Sequence, residues 1–283
     1  MSAAEKETMK YNNSLKNKIK LLRKRPVHRV RIALNYLFHC RLVEPIFVIA
    51  TRRSGSNLLL SYLNSVPEAS FASEVLNHSM YYGLRDRFIS KAAVMRHIEH
   101  SLNDCSGKVC GLKLLRIHLE DHSLTLEELK MRFPGARFIL LYRRSLLEQF
   151  VSLKTAEMTN LWIWKNASEP PAPPSLRLDA GEFDAFSRNI RGFYQELFRK
   201  EWLRACSVTL SYEELVGDPQ RIFREVLFPF LGLPEMSVKT PLKKQNTRDL
   251  HRMVQNFGEF VAAENAYQEY PSSQGILEYA GLS

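Results

Sequence analysis

The stretch Phe47-Val-Ile-Ala-Thr-Arg-Arg-Ser-Gly-Ser-Asn-Leu-Leu59 passes from a continuous apolar run into a polar turn and then into a periodic segment. The run 46–50 is typical of a buried strand in a parallel sheet. Residues 51–55 form the turn, and the apolar spacing over 56–66 predicts a helix. In such a unit the first helical amides and the helix dipole face the turn, which favours a bound anion.

The side chains of this turn suit a phosphate or sulfate group. Gly55 allows the backbone to approach an anion closely. The turn has only one glycine, so it is not the G-x-x-x-x-G-K-[ST] loop of ATP and GTP enzymes. A capped helix with surface arginines would give the same short pattern, so the turn alone does not decide the function. The expected anion ligands are Arg52, Arg53, Ser54, Gly55, Ser56 and Asn57.

Further strands and helices alternate along the chain, which predicts an α/β fold with a central parallel sheet flanked by helices and a phosphate-loop architecture. The patterns place strands at 46–50, 108–117, 137–142 and 207–210. They place helices at 56–66, 85–102, 124–132, 145–160, 182–204 and 219–230.

The chain divides into a basic helical extension at 1–44 and a single domain at 45–283, with a Pro-rich loop at about 165–180. The formal net charge of +10 favours an anionic ligand without selecting one. We expect no membrane span, no signal peptide and a cytoplasmic location. The four cysteines form no metal-binding pattern and no disulfide framework, so no metal is expected.

A second strand-to-turn unit lies at 137–145 and is followed by a helix. Arg144 stands at the end of the strand, and Ser152 lies about two turns into the helix. Both side chains can therefore reach one anion from the same edge of the sheet. An arginine at a strand end is by itself more often a partner in a surface ion pair.

The two units together resemble the sulfotransferases that use 3′-phosphoadenosine 5′-phosphosulfate (PAPS). The stretch 51–57 resembles that family's 5′-phosphosulfate loop, and Arg144 with Ser152 resembles its 3′-phosphate pair. The stretch 149–156, followed by Trp162, is most similar to the bacterial branch that includes trehalose and nodulation-factor sulfotransferases. Three further stretches, 208–219, 230–234 and 243–246, are similar to family segments, and the resemblance covers about 46–260.

This resemblance implies transfer of a sulfuryl group from PAPS to an acceptor hydroxyl, with release of 3′,5′-adenosine bisphosphate. Arg53 stands where many relatives have a lysine, and we assign it to the bridging and sulfuryl oxygens. An arginine stabilises charge there better than it donates a proton. The resemblance adds Lys243 and Lys244 to the cofactor ligands. The acceptor is expected to be a carbohydrate or another small molecule, and Trp162 and Trp164 are expected to line its pocket.

The resemblance offers two residues as the base that takes the acceptor proton. Glu74 lies in a segment similar to the one that carries the proposed base of the bacterial branch. His118 follows a strand, as the catalytic histidine does in the cytosolic branch. A carboxylate near the charges of PAPS is expected to have a raised pKa, which suits proton abstraction. Lys113 lies in a segment shared with the bacterial branch and is expected to position the acceptor.

Two other classes of protein fit parts of the sequence. A phosphate-loop kinase would need a second glycine and a carboxylate for magnesium at a strand end, and neither is evident. A basic RNA- or membrane-binding protein would fit the charge of the segment 16–31. No aromatic-rich RNA motif accompanies that charge, so no nucleic-acid partner is expected.

Overall fold

A computed structural model describes residues 44–77, 90–162, 174–242 and 250–260 of the chain. Within these ranges five strands form one sheet in the order β2-β3-β1-β4-β5, and every pair of neighbours is parallel. The α/β fold class predicted from the sequence is therefore confirmed. The strands are β1 (Ile46–Ala50), β2 (Ala69–Ala72), β3 (Val109–Leu115), β4 (Arg137–Tyr142) and β5 (Ser207–Ser211).

Strand β1 lies at the centre of the sheet because all five of its residues are apolar and buried. Its residue Val48 is opposite Lys113 of β3 and Ile139 of β4. Since the strands are parallel, the turns after β1, β3 and β4 come out at the same edge of the sheet. Ligands of open α/β sheets bind outside that edge.

Helices connect the strands, and several begin at a side chain that caps their first turn. Ser145, Asp179 and Ser211 each accept a hydrogen bond from the backbone N–H three residues later. The helices are α1 (Ser56–Leu63), α2 (Lys91–Asn103), α3 (Arg116–Asp121), α4 (Leu126–Arg132), α5 (Leu146–Thr159), α6 (Ala180–Arg199), α7 (Glu201–Arg204), α8 (Tyr212–Gly217), α9 (Pro219–Ile222), α10 (Phe228–Leu231) and α11 (Leu250–Met253). A π-helical turn at Phe223–Leu227 joins α9 to α10, and a 3₁₀ turn spans Phe257–Phe260.

The helices cover the sheet on both faces. Alternate residues of β1 point to opposite sides, so that Phe47 and Ile49 pack into one apolar cluster and Val48 packs into the other. Helices α2, α4, α5 and α6 supply the first cluster. Helix α1 and the segment 219–231 supply the second. The fold therefore has three layers, and the turn at 51–55 leaves it at the central strand.

Several sequence expectations need correction. The third strand ends at Leu115 rather than 117, because α3 begins at Arg116. The helix expected over 182–204 is interrupted at Lys200, whose backbone is extended. The helix expected over 219–230 contains the π-helical turn.

Some predicted segments lie in parts of the chain that the structure does not describe. The extension at 1–43 and most of the Pro-rich loop, 165–173, lie outside the described residues. The division into an extension and one domain therefore stays a prediction. The cytoplasmic location also stays a prediction. No helix in the described ranges is long and apolar enough to cross a membrane.

Candidate active site

The turn between β1 and α1 depends on glycine at position 55. Gly55 directly precedes the first residue of α1. Its backbone φ is 90°, a conformation that residues with a side chain rarely adopt. A Cβ atom there would lie 2.3 Å from Cδ2 of Tyr212. The backbone N–H of Leu58 is bonded to the carbonyl of Gly55, and the helical amides before it have no intrahelical acceptor. The turn thus offers amides and a positive dipole end to an anion.

The turn is fixed from inside the protein by a glutamine for which the sequence analysis gave no role. Gln149 of α5 is fully buried, and its Nε2 donates to Oγ1 of Thr51 at 2.9 Å and to the carbonyl of Arg52 at 2.6 Å. Ser54 turns its hydroxyl inward to the carbonyl of Thr51 at 2.9 Å. An amide side chain on the apolar face of a helix is the signal that could have identified Gln149.

Arg53 joins the turn to α5 and to the segment after it. Its Nε donates to Oγ of Ser152 at 3.0 Å, and its Nη1 donates to the carbonyl of Trp162 at 2.7 Å. Burial, and then the nearby Arg143, lower the pKa of the Arg53 guanidinium, which as an arginine stays charged. The structure thus brings three predicted site residues together.

Two adjacent arginines, Arg143 and Arg144, directly follow β4. Arg144, expected to bind the 3′-phosphate, pairs its Nη2 with Oε1 of Glu214 at 3.1 Å and is 39% exposed. Arg143, for which the sequence indicated no role, is buried. Its Nη1 donates to the carbonyl of Arg53 at 3.4 Å, and its guanidinium lies 4.4 Å from the centre of the Tyr212 ring. Arg143 therefore ties the two turns together, and its charge is balanced by ion pairs with Glu148 and Glu213.

Glu74, proposed as the base, is brought to the same edge by strand β2. The residue has a φ of 48°, which is unusual for a residue other than glycine. Its Oε1 accepts from Nζ of Lys113 at 2.7 Å, and its Oε2 accepts from Nδ2 of Asn77 at 2.7 Å. The same Lys113 nitrogen donates to Oδ1 of Asn57 in the first turn of α1, at 2.5 Å. The carboxylate is therefore linked through one ammonium group to the anion-binding turn.

The electrostatics of Glu74 differ from the sequence expectation. Burial would raise the pKa of its carboxyl group, but the charge and hydrogen bond of Lys113 outweigh burial, helped by Asn77 and His118. The pKa therefore lies below its usual range, where a raised one was expected. Glu74 is consequently ionised at neutral pH, with its side chain 16% exposed.

His118, the other proposed base, is buried at the start of α3. Its Nδ1 accepts from the backbone N–H of Leu115 at 3.3 Å. Burial is the main cause that lowers its pKa to about 4. The ring is therefore neutral at pH 7, and the nitrogen that lacks a proton is already used within the protein.

The remaining predicted residues are placed as follows. Trp162 is 41% exposed and donates from Nε1 to Oδ1 of Asn160 at 3.3 Å. Trp164, Lys243 and Lys244 lie outside the described residues. In the ranges that the structure covers, no three His, Cys, Asp or Glu side chains are grouped so that they could hold a metal ion.

The sequence is similar to the nodulation H proteins. It is 27% identical to Nodulation protein H of Rhizobium meliloti, over 76% of this chain and 89% of that protein. The identity to Nodulation protein H of Rhizobium tropici is also 27%, over 76% of this chain and 87% of that one. This similarity agrees with the nodulation-type branch of the sulfotransferases that the sequence motifs resemble. The comparison therefore supports the enzyme class and branch that the sequence motifs indicate.

Among solved structures, a sulfotransferase from Alicyclobacillus acidocaldarius is similar with a TM-score of 0.48 and 14% identity, over 80% of this chain and 94% of that one. No family model matches the chain.

Proposed function

We propose that this protein is a sulfotransferase that uses PAPS as donor and a hydroxyl group of a carbohydrate or other small molecule as acceptor. The observation that carries the proposal is the link from Glu74 through Lys113 to Asn57, which joins a carboxylate to the first turn of an anion-binding helix. Such an arrangement can hold an anionic donor on one side and remove a proton on the other. PAPS would supply the sulfuryl group, and 3′,5′-adenosine bisphosphate would leave.

The residues of the turn fit the phosphosulfate end of this donor. The conformation of Gly55 opens the backbone amides of the first turn, and Arg52 and Arg53 add positive charge. Arg53 already lies against Ser152, the partner proposed for the 3′-phosphate. We assign to Arg53 the stabilisation of charge on the bridging and sulfuryl oxygens. Arg144 and Ser152 are assigned to binding of the 3′-phosphate. Fixed cations of this kind stabilise charge that develops during transfer.

Glu74 supports transfer by in-line displacement. Each of its oxygens accepts one hydrogen bond from the protein and keeps a lone pair for the acceptor. The proton of the acceptor hydroxyl passes to Glu74 as the acceptor oxygen bonds to sulfur. The bond from sulfur to the bridging oxygen breaks, and its electron pair leaves on the 5′-phosphate. Because His118 is neutral with its Nδ1 in use, the geometry favours Glu74 as the base.

The nucleotide preference tests this proposal. We expect 3′,5′-adenosine bisphosphate to bind more tightly than the 3′-dephospho nucleotide, because Arg144 adds a charge-assisted contact of about 1.5–3 kcal/mol. Arg144→Ala should therefore remove most of the difference, roughly 10- to 150-fold in Kd by calorimetry.

Arg188→Ala is the matched control, since Arg188 forms an exposed ion pair with Asp184 on α6. It should leave both affinities unchanged. Equal binding of the two nucleotides by the unmutated protein would contradict the proposed donor.

Metal independence is a second expected result. The proposed site neutralises charge with arginines, Lys113 and backbone amides, so transfer from radiolabelled PAPS to a panel of sugar and phenol acceptors should persist in EDTA. The measurement compares initial rates with EDTA and with added Mg²⁺. A strict requirement for Mg²⁺ in the chemical step would instead favour a kinase-like enzyme.

A further inference from the structure

Lys113 was expected from the sequence to position the acceptor, but its surroundings give it a different partner. It lies in the middle of β3, opposite Val48, and its side chain has no exposed surface. Its ammonium group contacts Oε1 of Glu74 at 2.7 Å and Oδ1 of Asn57 at 2.5 Å. An acceptor that enters from solvent meets the 16% exposed Glu74 side chain and not the fully buried lysine.

We propose that Lys113 is a positioning residue that acts through Glu74, holding the base in register with the phosphate-binding turn and keeping it ionised. The inference rests on the proposed function and replaces acceptor binding as the role of Lys113. A lysine is costly to bury unless it is paired and hydrogen-bonded. The buried position of Lys113 is explained if its ammonium charge is needed beside the Glu74 carboxylate.

The backbone of the Glu74 segment gives independent support. A φ of 48° is unfavourable for glutamate and persists only where surrounding contacts impose it. Lys113 and Asn77 hold the two carboxylate oxygens, and Nε2 of His97 lies 3.0 Å from the carbonyl of Val75. The segment is thus held on both sides of the carboxylate, as precise placement of a base requires.

The charges around Glu74 decide the expected pH dependence. Lys113 faces the carboxylate from β3, and His118 faces it from α3. His97 of α2 contacts the carbonyl of Val75, and His122 contacts that of Leu76. The pKa of His118 is lowered to about 4, mainly by burial, so His118 is neutral from pH 6 to 8. Lys113 is therefore the cation whose removal should allow burial to raise the pKa of Glu74.

The decisive variant is Lys113→Met, which keeps the length of the side chain without its charge. The ratio of kcat/KM at pH 6 to that at pH 8 should fall about tenfold, because a carboxylate that has lost a nearby cation is protonated at higher pH. Asn77→Ala removes a neutral donor from the same carboxylate and should lower the ratio by a smaller factor. A raised acceptor KM with an unchanged pH profile would return Lys113 to acceptor binding and overturn the proposal.

Lys108→Met is the matched control. Lys108 comes directly before β3 and pairs with Glu68 at 3.2 Å, but it is 69% exposed. The substitution removes the same kind of ion pair far from the base, so the pH profile should not move. In a Glu74→Gln background, Lys113→Met should have little further effect on kcat, since both changes then act on one interaction. Additive losses would contradict action through Glu74.

A titration without turnover separates this inference from the proposed function. Protein labelled with ¹³C at the glutamate carboxyls is titrated by NMR, and the Glu74 signal is assigned by its loss in Glu74→Gln. The signal should titrate at higher pH in Lys113→Met, and also in Asn77→Ala if the first variant does not fold. Unmoved titration in a folded variant would sink the inference even in an active enzyme. Inactive protein with the expected titration would instead count against sulfuryl transfer.

Discussion

Glu74→Gln should lower kcat by roughly 10²–10⁴, the usual contribution of a general base. The amide keeps the shape of the side chain, and its oxygen can still accept from Lys113. Asn77 can turn its own amide to accept from the new NH₂ group. What is lost is the ability to take a proton. The check is steady-state kinetics with radiolabelled PAPS together with calorimetry of 3′,5′-adenosine bisphosphate, whose affinity should hardly change.

His118→Asn is the comparison variant for the base. Its amide oxygen can replace Nδ1 as the acceptor for the backbone N–H of Leu115. The variant should therefore fold and retain most of kcat. If it instead loses as much as Glu74→Gln was expected to lose, and Glu74→Gln is nearly silent, the base is His118.

Gly55→Ala should disrupt the phosphate-binding turn. A φ of 90° costs a residue with a side chain about 1–2 kcal/mol, and the new methyl group would collide with the ring of Tyr212. Overpacking of that kind costs about 1–3 kcal/mol more. The total of about 2–5 kcal/mol should be seen as lower stability in denaturant unfolding, as weaker nucleotide binding, or as both.

Two other glycines separate the causes of this effect. Gly232 has a φ of 68° but open space around it, so Gly232→Ala should cost only the backbone part. Gly192 lies in α6 with open space and no positive φ, and Gly192→Ala should be neutral or stabilise the helix. If all three variants behave alike, contact with Tyr212 is not what requires glycine at position 55.

The local sequence was enough to predict most elements of the sheet. The strand at 137–142 has the predicted bounds, and β1 with α1 follows the predicted strand, turn and helix. Strand β2 was missed because its four residues, at the edge of the sheet, are too few to give a clear pattern. Helix α8 was missed for the same reason, although its capping residue Ser211 and Glu214 three residues later are a recognisable signal.

What the sequence by itself determined is the chemistry of each turn, because apolar runs, single glycines and arginines act over a few neighbouring residues. Arg53 could be named as an anion ligand on that basis, whereas Glu74 and Lys113 were named only from the resemblance to the bacterial sulfotransferases. Their partners were decided only by the tertiary structure, since the contact from Lys113 to Asn57 spans 56 positions and that from Arg53 to Ser152 spans 99. The lowered pKa of Glu74 has the same origin: it depends on a cation from another strand and on burial, and both exist only once the strands have paired.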